Sequence, residues 1–274
     1  MIKEFQYYCR HNLGLAESTI TEYGKDLHLF ATWLQATAGI NRWSQVTRPT
    51  VEQWVSSQHC NGTAPATIKR RVSAVRRLYQ YAWLQGLCSE NPAKYVSTPK
   101  NAIKLPNVLQ LNDIKAALND ANVGLEIRSL IAVMAEAGLR ISEAMRLRHN
   151  DFNTTNRSIR ITGKGNKERT VYYGDATAQL LEQGGFDGTY IENQADRQIR
   201  YEVWQALRNH SNSEKCNPHT LRHTFATTMV ENGAELNSLA IMMGHASTKT
   251  TERYVHLGSN AIRDTYVACA PNLN

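Results

Sequence analysis

Apolar positions in the first third of the chain repeat with a helical period. Over residues 16–38 they fall at Ile20, Leu27, Phe30, Ala31 and Leu34, with Glu17 and Glu22 near the start, which predicts one long amphipathic helix. A second helix is predicted from Thr63 or Ala64, where Pro65 suits an early helical position, to Gln85, with Gly86 as its stop. Ile68, Val72, Val75, Tyr79 and Ala82 form its apolar stripe. The period then vanishes: NPAKYVSTPKNAIKLP, residues 91–106, carries three prolines and several lysines, which is linker composition. Two domains are therefore expected, a helical one over 1–92 and a second over 108–274, joined by a linker over 93–107.

In the second domain helices are predicted over 111–118 and 126–137, the latter closed by Gly138 in the position a helix C-terminus favours. The stretch SIRITGKGNKERTVYYG changes period. Ile159 and Ile161 alternate with Arg160 and Thr162, a Gly-rich turn follows, and residues 169–173 are again strand-like, so a β-hairpin is expected. Further helices are predicted over 197–209, 220–231, 236–243 and 248–256. The fold class is mainly α, with one small antiparallel sheet in the C-terminal domain.

Charge narrows the field of partners. The 274 residues carry 31 Lys and Arg against 24 Asp and Glu, a formal net charge of +7, and the pI is near 9.2. That balance favours an anionic partner without choosing among DNA, RNA and an acidic membrane. Cys9, Cys60, Cys88, Cys216 and Cys269 are odd in number and form no Cys-x-x-Cys pair, which fits a reducing compartment. The longest apolar stretch, around 130–137, is too short to cross a bilayer, so a cytoplasmic protein with no membrane association is expected.

On the second helix, Lys69, Arg70, Ser73, Arg76 and Arg77 gather on an arc away from the apolar stripe, and that arc contains no acid. It is a candidate DNA-binding face. Its plain alternative is a solvated surface.

Candidate chemistry is scattered along the second domain. Arg140 follows the Gly138 stop, with Ser142 placed to cap a helix over 143–147, so an anion there would meet a guanidinium and a positive helix end together. Glu143 is close enough to orient Arg140, or it simply occupies the first turn of its own helix. Lys164 occupies the hairpin turn between Gly163 and Gly165, and the spacing excludes a Walker loop. His219 and Arg222 are three apart and share a helix face. His223 lies four beyond His219, but no Glu follows in the zincin manner and no cysteine is spaced to complete a site, so no metal is expected. His245 comes directly after Gly244 and alternatively serves as a capping histidine, while Tyr254 is one of 12 tyrosines and means little alone.

Taken as a set, these residues suit a phosphodiester. Its non-bridging oxygens gain charge as phosphorus becomes five-coordinate, and fixed cationic donors are what lowers that barrier. Two Arg forks clamp phosphate oxygens, histidines add donors or move protons, and a Lys protonates a departing oxygen. A tyrosine hydroxyl becomes a competent nucleophile where cations stabilise its phenolate. A phosphotyrosine link conserves the energy of the broken bond, so no ATP, metal or other cofactor is expected.

Four segments in one order, AGLRISEAMRLRHND, ITGKGNKERTV, NPHTLRHTFATTMVENGA and LAIMMGHASTKTTERYVHL, resemble the tyrosine recombinases of the phage-integrase superfamily, most closely the bacterial Xer type. ESTITEYGKDLHLFATWL and ATIKRRVSAVRRLYQYAWLQG resemble the family's SAM-like core-binding domain, so the likeness covers nearly the whole chain. The resemblance implies a two-domain C-shaped clamp on duplex DNA and strand exchange through a Holliday junction. Four protomers would act together, of one kind or mixed with a related recombinase, with accessory proteins possible and the nucleoid as the working place. It further implies that Arg140 and Arg222 are the catalytic arginines, Lys164 a general acid, His219 a general base and His245 the further donor. Tyr254 would be the nucleophile of a 3′-phosphotyrosyl link, and Glu143 would support the arginines.

The tail over 258–274 is the least familiar part. Ala261, Ile262, Tyr266 and Val267 suit a helix, either donated to a neighbouring protomer, the reading the resemblance favours, or folded back on its own domain. Two other functions share parts of the pattern, a type IB topoisomerase and a DNA-binding regulator without activity. The motif wording and the compact N-terminal domain favour recombination over the first, and retention of all six chemical positions argues against the second.

Overall fold

The structure, a computed structural model, describes residues 1–99, 107–162, 168–213, 216–244 and 259–271. The chain divides into two compact units, Met1–Lys104 and Leu105–Asn274.

The first unit is helical: α1 (Ile2–His11), α2 (Glu17–Ala38), a 3-10 turn (Trp43–Gln45), α3 (Arg48–Cys60) and α4 (Pro65–Leu84). The predicted helices appear as α2 and α4, the latter with Pro65 in its first turn. The expected stripe of α4 is buried at Ile68, Val72, Val75, Tyr79 and Ala82. Ile68, Val72, Val75 and Tyr79 pack with Phe5, Leu27, Phe30 and Trp54 into one core. The sequence expected to be linker begins inside this unit, because Ala93 and Val96 are buried in the same core. Arg76 fixes that segment by donating to the Ala93 and Val96 carbonyls at 3.0 and 3.1 Å.

The second unit contains α5 (Leu111–Asn119), α6 (Leu125–Ala137), α7 (Ile141–Ala144), α8 (Asp175–Glu182), α9 (Thr189–Glu192), α10 (Asp196–His210), α11 (Pro218–Glu231), α12 (Leu236–Met243) and α13 (Ser259–Cys269). The helix expected over 248–256 lies outside the described residues. Between α7 and α8 runs an antiparallel sheet in the order β1 (Phe152–Asn153), β2 (Ser158–Thr162), β3 (Glu168–Tyr172). The hairpin pairs Ile159 with Val171 and Ile161 with Arg169. Strand β1 is too short to show a period, which is why its sequence did not reveal it.

Helix α6 is the axis of this unit, buried on nearly all sides and packed by α5, α8, α10 and α11. A helix apolar all round belongs at the centre of a fold. Its deepest carboxylate, Glu136, accepts the N–H groups of Gly174, Ala176 and Thr177 at 3.0–3.1 Å and the Thr177 hydroxyl at 2.6 Å. Glu136 thereby caps the start of α8, satisfying donors that no helix can satisfy internally.

The tail helix α13 folds back on its own unit. Tyr266 and Cys269 are buried with Tyr172, Phe225, Met229 and Met242, and the Asn232 side chain donates to the Cys269 carbonyl at 3.0 Å. Of the tail residues singled out from sequence, Tyr266 faces this core and Val267 is exposed. In this single chain the tail thus takes the second of the two readings, packed on the core that α11 and α12 offer.

Candidate functional site

Helix α6 ends at Gly138, whose backbone is left-handed (φ +64°) and whose missing Cβ leaves room for the Phe225 ring. This stop turns the chain sharply and presents Arg140 as the N-cap of α7. Ser142 therefore lies within α7 rather than capping it, contrary to the sequence reading. The capping acceptor is instead the Glu143 carboxylate, which takes the Arg140 N–H at 2.9 Å.

Glu143 gathers three guanidiniums. Arg140 donates to its Oε1 at 3.0 Å, and Arg169 of β3 donates to both oxygens, at 3.1 and 3.0 Å. Arg222 of α11 stands 3.9 Å away. Burial alone would raise the Glu143 carboxyl, but the Arg169 and Arg140 bonds and charges outweigh it and hold the group below its usual range. Three fixed positive charges around one negative leave a surplus of two, the condition for capturing an anion.

The same arginines close helix ends. Arg222 donates to the Gly138 carbonyl at 2.6 Å and to the Met243 carbonyl at 2.5 Å. Arg169 donates to Met242 at 3.0 Å and Arg140 to Gly244 at 3.3 Å. These acceptors are the terminal carbonyls of α6 and α12, which lack partners within their own helices and lie at the negative end of each dipole. Gly244 is left-handed (φ +59°), and a Cβ there would press on the Arg169 guanidinium. Burial and the nearby Arg140 charge push Arg222 down to about 10, so it stays cationic at neutral pH.

His219 opens α11, where the Asn217 side chain accepts the Thr220 N–H at 3.2 Å and fixes the first turn. The ring is solvent-facing yet partly crowded. That desolvation, followed by the charges of Arg200, His223, Arg222 and Arg140, lowers its pKa and keeps it a neutral imidazole able to accept a proton. Of the predicted residues, the fold thus brings Arg140, Glu143 and Arg222 together, with His219 one turn away on the helix that carries Arg222. Lys164, His245 and Tyr254 lie outside the described residues.

Arg169 was not among the predicted site residues. Its signal was thin: a charged residue facing Ile161 across an antiparallel pair, between exposed Glu168 and Thr170 and two residues before buried Val171 on the same strand face.

In the first unit the basic arc is more mixed than its sequence. Arg70 donates to Asp26 at 2.6 Å and to Glu22 at 3.2 Å. The acids missing from α4 are supplied by α2. Arg76 is committed to the Ala93 and Val96 carbonyls. Lys69 is exposed, Ser73 half-buried, and exposed Arg77 sits 5.9 Å from the centre of the Tyr23 ring. Among the described residues no helix is long and apolar enough to cross a membrane.

Comparison with known proteins agrees with this picture. Residues 107–260 match the family described as Phage integrase family, and residues 2–86 match the N-terminal SAM-like domain of phage integrases. A Staphylococcus saprophyticus protein named tyrosine recombinase XerD is 30% identical over 288 residues, covering 97% of each chain. A protein of the same name from Halalkalibacterium halodurans is 28% identical over 290 residues, 98% of this chain and 97% of its own. Among solved structures, XerH site-specific recombinase bound to a palindromic difH substrate superposes with a TM-score of 0.71 at 21% identity, over 96% of this chain and 83% of that one. A lambda integrase fragment bound as a dimer to a COC′ core site also gives 0.71, at 12% identity, over 91% and 95%.

Proposed function

The chain belongs to the phage integrase family and is a tyrosine site-specific recombinase, and on that premise we propose that the arginine cluster around Glu143 holds a scissile DNA phosphate for attack by Tyr254. The observation that carries this reading is the surplus of guanidinium charge fixed on one carboxylate and two helix ends. A five-coordinate phosphorane gains negative charge on its equatorial oxygens, and donors already in place stabilise it without reorganising.

Each remaining residue has a task in this scheme. Neutral His219 accepts the phenol proton or supports the group that does. Lys164, two residues beyond the end of β2 in the hairpin whose other strand carries Arg169, protonates the departing 5′-oxygen. His245 follows Gly244, whose carbonyl accepts from Arg140, and adds a donor to the phosphate. The product is a 3′-phosphotyrosyl link with a free 5′-hydroxyl. Attack by a hydroxyl from the partner strand reverses the step and restores Tyr254, so the energy for rejoining is stored in the link itself. The substrate is a duplex recombination site, gripped in part by Lys69 and Arg77. Two such sites and four protomers, identical or mixed with a related recombinase, exchange strands through a Holliday junction.

A duplex nicked so that the cleaved fragment diffuses away should trap the native protein covalently. Tyr254→Phe should bind the same duplex and form no adduct, and an adduct persisting in that variant rejects Tyr254 as nucleophile. Two duplexes with different marked flanks test the outcome of the full reaction. Swapped flanks are expected, whereas relaxation of a supercoiled circle without exchange is what a topoisomerase would give.

A further inference from the structure

Beside the arginine cluster, a cleft of about 570 Å³ opens between α10 and α11. Arg200 of α10 lines it, with Asn217, His219, Thr220 and His223 from the start of α11, and no acidic side chain is among its described lining residues. His219 and His223 are four apart, so they stand one above the other on one helix face, and both are exposed. Among the described residues the carboxylate paired with Arg200 is Asp196, at 4.0 Å and largely in solvent, a separation too long and too wet to neutralise a guanidinium. Arg200 and His219 line the cleft together, and among the charges acting on His219 that of Arg200 comes first. The first turn of α11 adds its positive dipole end to the same space.

One guanidinium and two imidazoles thus surround an open hollow with no acid among its described lining residues, a setting that favours an anion. Arg222 lies one turn further along α11, on the side facing Glu143. Helix α11 therefore borders two anion-attracting places, the cleft through His219 and His223 and the Glu143 cluster through Arg222.

We propose that this cleft binds the backbone phosphate adjacent to the attacked one on the same strand, with Arg200 as its direct ligand and His223 as a second donor. The proposal rests on the reading of Arg140 and Arg222 as the scissile-phosphate site and adds a neighbouring subsite to it. Arg200 then sets the register of the strand, so that the attacked phosphorus and not its neighbour faces the nucleophile.

The test uses the full chain and a nicked duplex bearing a cleavage site recovered from a random library, with the flanking linkages replaced one at a time by neutral methylphosphonates. Adduct formation is followed at enzyme concentrations below saturation. For the native protein, neutralising one of the two linkages beside the cleaved one should slow trapping by about tenfold, the size of one charge-assisted hydrogen bond. Arg200→Ala should be slowed by about as much on the unmodified duplex, and the neutral linkage should cost it less than about twofold more, since coupled effects do not add. Arg200→Lys should recover part of the native rate together with part of the linkage penalty, which a merely structural defect would not do. Additive penalties at both flanking linkages overturn the proposal, as does a native protein indifferent to either. If the native protein forms no adduct on the unmodified duplex, the reading of the site itself is overturned, and this subsite with it.

Discussion

Neutral His219 is where a single residue's environment has a measurable consequence. Crowding of the ring and the cations around it lower its pKa below the ordinary value near 6.5. In the free protein the imidazole therefore stays unprotonated to lower pH than an unperturbed histidine. Where the rate under kcat/KM conditions requires a neutral His219, its acid limb should lie below pH 6.5, since that profile reports groups of the free enzyme. Measuring trapping rate against pH checks this, and a limb centred above that value would deny His219 a proton-accepting role. The sequence made His219, Arg222, Arg140 and Glu143 candidates for one site through the resemblance of the segments that carry them, and the i, i+3 spacing of the first two added only that they share a helix face. It left out Arg169, and it could not show that the arginines rest on carbonyls of Gly138, Met242, Met243 and Gly244. Backbone acceptors belong to every residue type and leave no mark in a sequence.

At the scale of elements, the tail helix α13 is held by Tyr266, whose ring is buried beside Tyr172, 5.8 Å between centroids. Among the described residues its buried hydroxyl has no hydrogen-bond partner. A buried donor left unmade costs about 1–3 kcal/mol, while the ring supplies the packing. Tyr266→Phe should therefore leave the helix docked and raise stability by about 1 kcal/mol, as read by urea denaturation. A decrease of that size would mean that the hydroxyl has a role in the folded chain. The long amphipathic helices α2 and α4 were legible to within a residue or two, because their apolar faces repeat over several turns. Helices α1, α3 and α8 were not anticipated. Helix α3, for instance, buries only Val51, Trp54 and Gln58, too sparse a stripe to declare a period. The hairpin was legible from alternation in β2, but the contacts of the tail within this chain rest on residues far away in the sequence.

For the molecule as a whole, the net charge of +7 overstates what is available to an anionic polymer. On α4, Arg70 is tied to Asp26 and Glu22, and Arg76 holds the segment containing Ala93 and Val96. Replacing Lys69 and Arg77 together by Ala should lower the slope of log affinity against log salt by about 2, close to one for each phosphate that no longer meets a cation. Arg70→Ala should instead weaken the first unit by about 1–3 kcal/mol, because it strips a charge-assisted bond from buried Asp26. Salt titrations and chemical denaturation separate the two, and an unchanged slope in the double variant removes α4 from the DNA-facing surface. Composition thus identified the kind of partner, whereas the division of labour among its arginines required the neighbouring helix α2.

Arg222 stoppers the ends of two rods that lie far apart in the chain. A chemically silent form made by deleting that guanidinium would also uncork α6 and α12, so loss of turnover and loosening of the protein would arrive together and be hard to tell apart. Silencing at the phenol oxygen of Tyr254 leaves both stoppers seated, which makes it the better choice for catching this protein intact on its substrate.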